Sequence, residues 1–462
     1  MKYISTRGQA PELTFEEAML TGLARDGGLY LPAEIPVMSQ DEIAALAGLS
    51  YEEIAFRVMW PYVSESFAED EFKAIITRAY EGFGHDARAP LKQLNENHFL
   101  LELFHGPTLA FKDFAMQLIG QLFQVALKRR GDRVTIVGAT SGDTGSAAIE
   151  AFRGLDAVDV FILFPHGRVS EVQRRQMTTP ADSNVHALAV DSDFDDCQAA
   201  LKDMFNDFEF RDSVKLAGVN SINFARVLAQ IVYYFTAAVS LGAPHRKVSF
   251  TVPTGNFGDI FAGYLAKRMG LPIDRLVVAT NQNDILHRCL SGEGYFKGDT
   301  IPSISPSMDI QVSSNFERAL YYAYGQDGGA VAQLMDELKN GGFNVSQGAM
   351  EALGEIFDSG RVSEEETLAT INSTLAHSAE LVCPHTAIGI KVAEDQRAAD
   401  IPMITLATAH PAKFPAAVEK ASDVHPPLPS RMSDLYERPE RVTRIANDLG
   451  ALEDHIRRHI AE

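Results

Sequence analysis

The 462-residue sequence predicts an α/β protein built on parallel sheets, with a helical N-terminal domain in front. Three observations carry this. First, a β-rich apolar run, a turn of Gly, Ser, Thr or Asp, and a helical pattern follow one another repeatedly. "HFLLELF" leads through "HGPTLA" to a helix near Ala110, "DRVTIVGA" through "TSGDTG" to "SAAIEAF", and "KVSFTVP" through "TGNFGD" to "IFAGYLAKRMG". Second, "DVFILFP", "RLVVAT" and "PMITLAT" are apolar almost throughout, as strands covered on both faces by helices must be. Third, residues 1–95 read as helical and acidic with no Gly-rich strand-to-helix turn, so they are expected to form a domain of their own.

Taken along the chain, the start "MKYISTRGQAPELTFEEAML" has no apolar signal-peptide core and carries acidic residues, so no export is expected and the reading is cytoplasmic. Cys197, Cys289 and Cys383 are the only cysteines, lie far apart and match no zinc or redox spacing, which fits inert thiols in a reducing compartment and no metal site. Residues 227–243, "VLAQIVYYFTAAVSLGA", are uncharged but shorter than the ~18–20 residues of a membrane span; a buried core helix is expected. Residues 294–348 include the Ser- and Pro-rich "IPSISPSMDIQVSSN" and read equally as a loop-rich excursion or as a wall of the site. Lys and Arg number 41 against 62 Asp and Glu, a net charge of −21 with no polyacidic run. That balance argues against nucleic-acid and anionic-membrane surfaces, so an anionic ligand needs a local basic or dipolar site.

Three turns carry the chemistry. "GATSGDTGSA" (138–147) and "PTGNFGD" (253–259) each set small residues where a strand ends and a helix begins, so backbone N–H groups and the helix dipole can converge on an anion. Neither is a Walker loop or a GxGxxG fingerprint, which weakens nucleotide readings. The third, "HGPTLAFKDFA", puts Lys112 in the first turn of a helix between two phenylalanines. A surface lysine with its stem on Phe111 or Phe114 would be ordinary. Here the ammonium opposes the helix dipole, at a cost of some tenths of a kcal/mol, roughly. A desolvated lysine loses its proton more readily and its neutral amine forms a Schiff base with an aldehyde, which points to pyridoxal phosphate.

Together "HGPTLAFKDFAMQ", "GATSGDTGSAA", "PTGNFGD" and "TAHPAKF" resemble the threonine synthase family, pyridoxal-phosphate enzymes of the tryptophan-synthase-β structural class, fold type II. The resemblance runs from "STRG" and "DGGLYLP" through "FPHGRVSEVQRRQM" to "CPHTAIG". It implies two open αβα domains with parallel sheets behind the N-terminal domain (1–95): a large cofactor domain (96–132 and 221–462) and a small mobile one (133–220). It implies conversion of O-phospho-L-homoserine and water to L-threonine and phosphate, by γ-elimination followed by hydration at Cβ. A lyase of the same branch, releasing 2-oxobutyrate, ammonia and phosphate, would use the same cofactor motifs, and a non-enzymatic nucleotide- or phosphate-binding module would keep the glycine turns but have no need of Lys112. The family also suggests a monomer.

Carried over by position, the resemblance makes Lys112 the cofactor's anchor and afterwards the main base and acid. The loop Thr254, Gly255, Asn256, Phe257, Gly258 and Asp259 matches the cradle for the cofactor phosphate, which needs no basic residue. Thr140, Ser141 and Thr144 match the loop that grips the substrate carboxylate. Asp143 stands where many relatives have Asn, and an ionised carboxylate beside the cofactor's phenolate oxygen would repel it. Thr408 matches the hydroxyl that faces the pyridine nitrogen. Asn220, Ser221 and Arg226 in "VNSINFAR" match the family's grip on the substrate phosphate, with a surface helix cap as the plainer reading of Arg226. Lys413 is a weaker candidate, readable as a solvated loop lysine, and His385 and His410 have no assignable role.

Overall fold

In the computed structural model, which describes residues 1–460, two parallel sheets organise the chain. The larger has six strands in the order Phe357–Arg361, Ile273–Thr280, Val248–Pro253, Met403–Ala407, His98–Glu102, Leu91–Asn95. All its pairs are parallel except the last, where Leu91–Asn95 runs antiparallel to His98–Glu102. Val248–Pro253 and Met403–Ala407 are buried at every position, which is why they read as unbroken apolar runs. The smaller sheet has five parallel strands, Thr443–Ile445, Val185–Val190, Val158–Pro165, Val134–Ala139 and Leu216–Ala217.

The expected division of the chain needs three corrections. The C-terminal segment does not stay with the large domain: Thr443–Ile445 pairs with Val185–Val190, and helix Leu449–His459 lays Leu452 and Ile456 against Val137, Phe161 and Leu188 of the small sheet. That segment covers a strand edge and an apolar sheet face that residues 133–220 alone would leave open. At the other end, Leu91–Asn95 belongs to the large sheet. Nor do the N-terminal helices keep a core of their own. Tyr3, Phe72, Phe114 and Tyr233 share one contiguous core, Tyr3 packs on Phe224 at 5.4 Å, and the Tyr80 hydroxyl donates to the Phe114 carbonyl at 3.2 Å. Helices of 7, 5, 13 and 12 residues are too short to be stable without that packing. Their starts are nevertheless written locally, as capping boxes Thr14/Glu17, Ser39/Glu42 and Ser50/Glu53.

Residues 227–243 fall largely in helix Phe224–Ser240, buried on nearly every side, and no helix among the described residues is long and apolar enough to cross a membrane. Residues 294–348 are both things the sequence allowed. They carry helices Phe316–Ala323 and Gly328–Lys339, and their irregular part brings Ser307 and Met308 to the central cavity.

Candidate active site

A cavity of about 620 Å³ is lined from the C-terminal ends of strands in both sheets: Lys112 follows His98–Glu102, Asp143 follows Val134–Ala139, Gly255 follows Val248–Pro253 and Thr408 follows Met403–Ala407. This is where an open α/β sheet places its ligands.

Lys112 is the first residue of helix Lys112–Arg130 and is buried, 8% exposed. The loop ahead of it is tightly held. Phe111 N–H donates to the Thr408 carbonyl at 2.8 Å, and Asp113 accepts from the Thr108 amide at 2.8 Å and hydroxyl at 2.5 Å. The Lys112 ammonium lies 3.5 Å from Asp143 Oδ2 and 5.2 Å from the Phe111 ring centre. Burial lowers its pKa from the ordinary lysine range; Asp143 opposes this, while Lys413 and Arg226 add to it.

The turn after Val248–Pro253 presents backbone, not side chains. A Cβ on Gly255 would stand 2.6 Å from the Ser307 carbonyl, so only glycine fits. Phe257 adopts a left-handed φ of 62° and turns its ring away onto Phe316 and Phe357, at 5.2 and 5.4 Å. The carbonyls are spoken for: Ser313 Oγ donates to Gly255 O at 2.6 Å, and Asn315 donates to Asn256 O through its amide N–H at 3.0 Å and its side chain at 2.9 Å. The amides of residues 255–260 meet no acceptor among the described residues, and helix Gly258–Arg268 adds its positive end.

Two further elements complete the wall. Helix Asp143–Phe152 brings Asp143 and Thr144 to the cavity. Arg226, near the start of helix Phe224–Ser240, is 5% exposed, donates to the Val219 carbonyl at 3.2 Å and has no carboxylate partner among the described residues. Burial lowers its pKa to about 10. One cavity thus holds a run of amides without acceptors and, separately, a buried guanidinium without a carboxylate partner among the described residues.

Three family profiles match the chain: "Threonine synthase N terminus" over residues 2–80, "Pyridoxal-phosphate dependent enzyme" over 85–333 and "Threonine synthase, C-terminal" over 386–456. Threonine synthase of Pseudomonas aeruginosa is 56% identical over 462 residues, 99% of this chain and 98% of its own. The chain belongs to the threonine synthase family. A crystal structure of PLP-bound threonine synthase from Brucella melitensis is similar at 56% identity and a TM-score of 0.98, covering 99% of each chain. Yeast threonine synthase superposes with a TM-score of 0.94 at 41% identity, over 99% of this chain and 98% of its own.

The residues present fit the cofactor of this family. A pyridoxal-phosphate enzyme needs a lysine that can give up its proton and a seat for one phosphate, and Lys112 and the free amides of 255–260 have those properties. A further donor waits nearby. His385, which also lines the cavity, accepts the Ser307 N–H on Nε2 at 3.3 Å, and its buried Nδ1 has no partner among the described residues. Burial pushes its pKa down to about 4, so the neutral ring carries its proton on Nδ1.

Several expected roles change once side chains are in view. Thr140 does not face the cavity: its hydroxyl accepts the N–H groups of Gly142 and Gly145, both at 2.9 Å, and so closes its own loop. Ser141 is likewise not part of the lining, leaving Thr144 from that trio. Thr254 turns its hydroxyl back to the Val252 carbonyl at 2.6 Å. The Asp259 carboxylate accepts from the hydroxyls of Tyr233 and Tyr234 at 2.6 and 3.1 Å, bracing helix Gly258–Arg268 on helix Phe224–Ser240 rather than offering itself to a ligand. Asn220 is exposed at the cavity mouth, and Ser221 lies 3.4 Å from Ser314 through their hydroxyls. Arg226 is no surface cap, and Thr408 lines the cavity with a hydroxyl that has no partner among the described residues.

Asp143 and Lys413 alter the electrostatic picture most. Lys413 is fully buried, not a solvated loop lysine, and its ammonium lies 2.9 Å from Asp143 Oδ1. Gln173 Nε2 donates to the same oxygen at 2.9 Å. Burial alone would raise the Asp143 carboxyl, but Lys413, then Lys112 and the Gln173 amide, hold it well below the usual carboxylate range. Asp143 is therefore held ionised beside two buried lysines. His410 accepts the Ala412 N–H at 3.2 Å, capping its own turn, and packs edge-on against Phe104 at 5.4 Å.

Proposed function

We propose that this cavity turns O-phospho-L-homoserine and water into L-threonine and phosphate with Lys112 as cofactor anchor and proton carrier. The reaction is that of the family to which the chain belongs. The observation that supports the assignment of residues is one buried lysine between two anion sites of different construction. Pyridoxal phosphate, when bound, supplies an aldehyde for the lysine and a conjugated ring that takes up the electron pair left when a substrate C–H bond breaks.

The chain supplies the rest. Residues 255–260 hold the cofactor phosphate through amides and the helix dipole, and Thr408 offers the ring nitrogen a neutral hydroxyl, which does not force a proton onto it. Thr144 and the first-turn amides of helix Asp143–Phe152 take the substrate carboxylate. Arg226, with Asn220 and Ser221, takes the γ-phosphate. When the Cγ–O bond breaks, its electron pair leaves on that phosphate, and a guanidinium with no protein counter-charge stabilises it. Lys112 Nζ, once released, removes a proton from Cα and one from Cβ, returns one to Cγ as the methyl group forms, and one to Cα after water has added at Cβ. The small domain closes on the large one to keep bulk water from the reacting carbons until that addition; Phe194, Leu201 and Phe205 of its helix Phe194–Asn206 already line the cavity. The chain works as a cytoplasmic monomer.

The test is incubation of the protein, loaded with pyridoxal phosphate, with O-phospho-L-homoserine, measuring L-threonine, 2-oxobutyrate and phosphate. L-Threonine equal to the phosphate released is expected. Phosphate with 2-oxobutyrate instead would move the chain to the lyase reaction, and no phosphate would overturn the substrate.

A further inference from the structure

Two buried lysines share one buried carboxylate at the centre of the cavity. The contacts are unequal. Asp143 Oδ1 has Lys413 at 2.9 Å and the Gln173 amide at 2.9 Å, whereas Oδ2 faces Lys112 and Ser307 Oγ only at 3.5 and 3.4 Å. Lys413 is pinned from its other side by the Thr108 carbonyl at 2.7 Å, in the turn that leads into the Lys112 helix. With Lys413 and Asp143 closed on one another, Lys112 is the cation left over. We propose that Lys413 is a positioning residue: by claiming the Asp143 carboxylate it denies Lys112 a full counter-ion and leaves the Lys112 amine free to act as nucleophile and base.

The groups that face Lys112 pull in opposite directions. Asp143 on helix Asp143–Phe152 favours its ammonium form; Lys413 on the turn Pro411–Lys413 and Arg226 on helix Phe224–Ser240 disfavour it; His385 on helix Pro384–Gln396 is neutral at neutral pH. Removing Lys413 hands Asp143 wholly to Lys112, which then keeps its proton to higher pH. Removing both charges of the pair leaves Lys112 near its original balance.

The inference rests on Lys112 being the cofactor's anchor, and the experiment separates the two claims. Apoprotein is mixed with pyridoxal phosphate, and the covalent bond, formed as the neutral amine adds to the aldehyde carbon and water leaves, is followed by its visible absorbance across pH. Lys112→Ala must abolish that absorbance; if it persists, the anchor is wrong, whatever Lys413 does. Lys413→Met is expected to move the pH midpoint of the rate upward by about one unit, slowing bond formation about tenfold below the midpoint. Lys413→Arg keeps the wild-type midpoint, Asp143→Asn lowers it, and the double variant Lys413→Met/Asp143→Asn returns it towards wild type. Because Lys413→Met strands a buried carboxylate and can fail to fold, Lys413→Gln, which drops the charge but keeps an amide donor for Asp143 and the Thr108 carbonyl, is the second reading: it too should raise the midpoint. A midpoint that stays put in Lys413→Met, or in Lys413→Gln, overturns the proposal and leaves Lys413 a structural residue.

Discussion

Arg226→Met should weaken catalysis and strengthen the fold at once, and both magnitudes follow from burial. In the free protein the guanidinium has a carbonyl partner and, among the described residues, no carboxylate, and burial lowers its pKa from the ordinary guanidinium range to about 10. At 1.36 kcal/mol per unit that is about 3 kcal/mol by which the fold disfavours the charge. Methionine removes this penalty and forfeits one hydrogen bond of about 1 kcal/mol, leaving a net gain of about 2 kcal/mol, read as a rise of a few degrees in the melting midpoint of the apoprotein. With substrate present the balance reverses. A buried charge pair truncated on one side loses about 2–5 kcal/mol, so kcat/KM for phosphate release should fall by roughly 30- to 5,000-fold. Lysine at this position should recover part of the rate, since it keeps the charge but not the planar grip. A kcat/KM within tenfold of wild type, or a melting midpoint that drops, would refute the reasoning and make Arg226 a structural residue.

Other outcomes are equally specific. Gly255→Ala forces a methyl group 2.6 Å from the Ser307 carbonyl; affinity for pyridoxal phosphate, measured by titrating the apoprotein, should drop and stability fall by about 1–3 kcal/mol. Burial raises Asp259 from 3.8 to about 7, so the folded state holds a proton that the unfolded state has already lost. Stability from this group is therefore full below pH 4, roughly, and declines as pH rises towards about 7. Asp259→Asn, which keeps an acceptor for Tyr233 and Tyr234, should raise the melting midpoint at pH 8 and leave it nearly unchanged at pH 4; equal shifts at both would count against the raised value. Closure of the small domain predicts a smaller radius of gyration by X-ray scattering when a non-reactive phosphonate analogue of the substrate is added, and an unchanged radius would argue for a cavity that is already closed.

Much of this site was legible because the chain advertises it locally. A strand, a small-residue turn and a helix start can be read from a dozen residues, and three such units brought Lys112, Asp143 and Gly255 to one cavity. What was hidden depends on where side chains go after folding. Nothing near Thr140 in the sequence says that its hydroxyl will be taken by Gly142 and Gly145, and Asp259 looks like part of the cradle until two tyrosines from another helix claim it. Lys413 and His385 lie far from Asp143 in sequence, so only the folded chain shows their burial beside it. The C-terminal helix was misplaced for a related reason: an amphipathic stretch records that it covers something, not which sheet.

The two anion sites also explain how a chain of net charge −21 can work on doubly phosphorylated chemistry without confusing its ligands. The amides of 255–260 are fixed by the backbone, with their carbonyls already held by Ser313 and Asn315. Such a seat costs no reorganisation when filled, and when empty it leaves several donors unmet, which favours a ligand that stays. Arg226 is the opposite: one buried charge held to a single carbonyl, which under the proposed assignment meets a phosphate that leaves as the free ion. A resident cofactor suits the first construction and a group that departs each cycle suits the second. Beside them Asp143 lies 2.9 Å from Lys413 and meets Lys112 only at 3.5 Å, which under the proposed roles leaves the Lys112 amine readier to give up its proton.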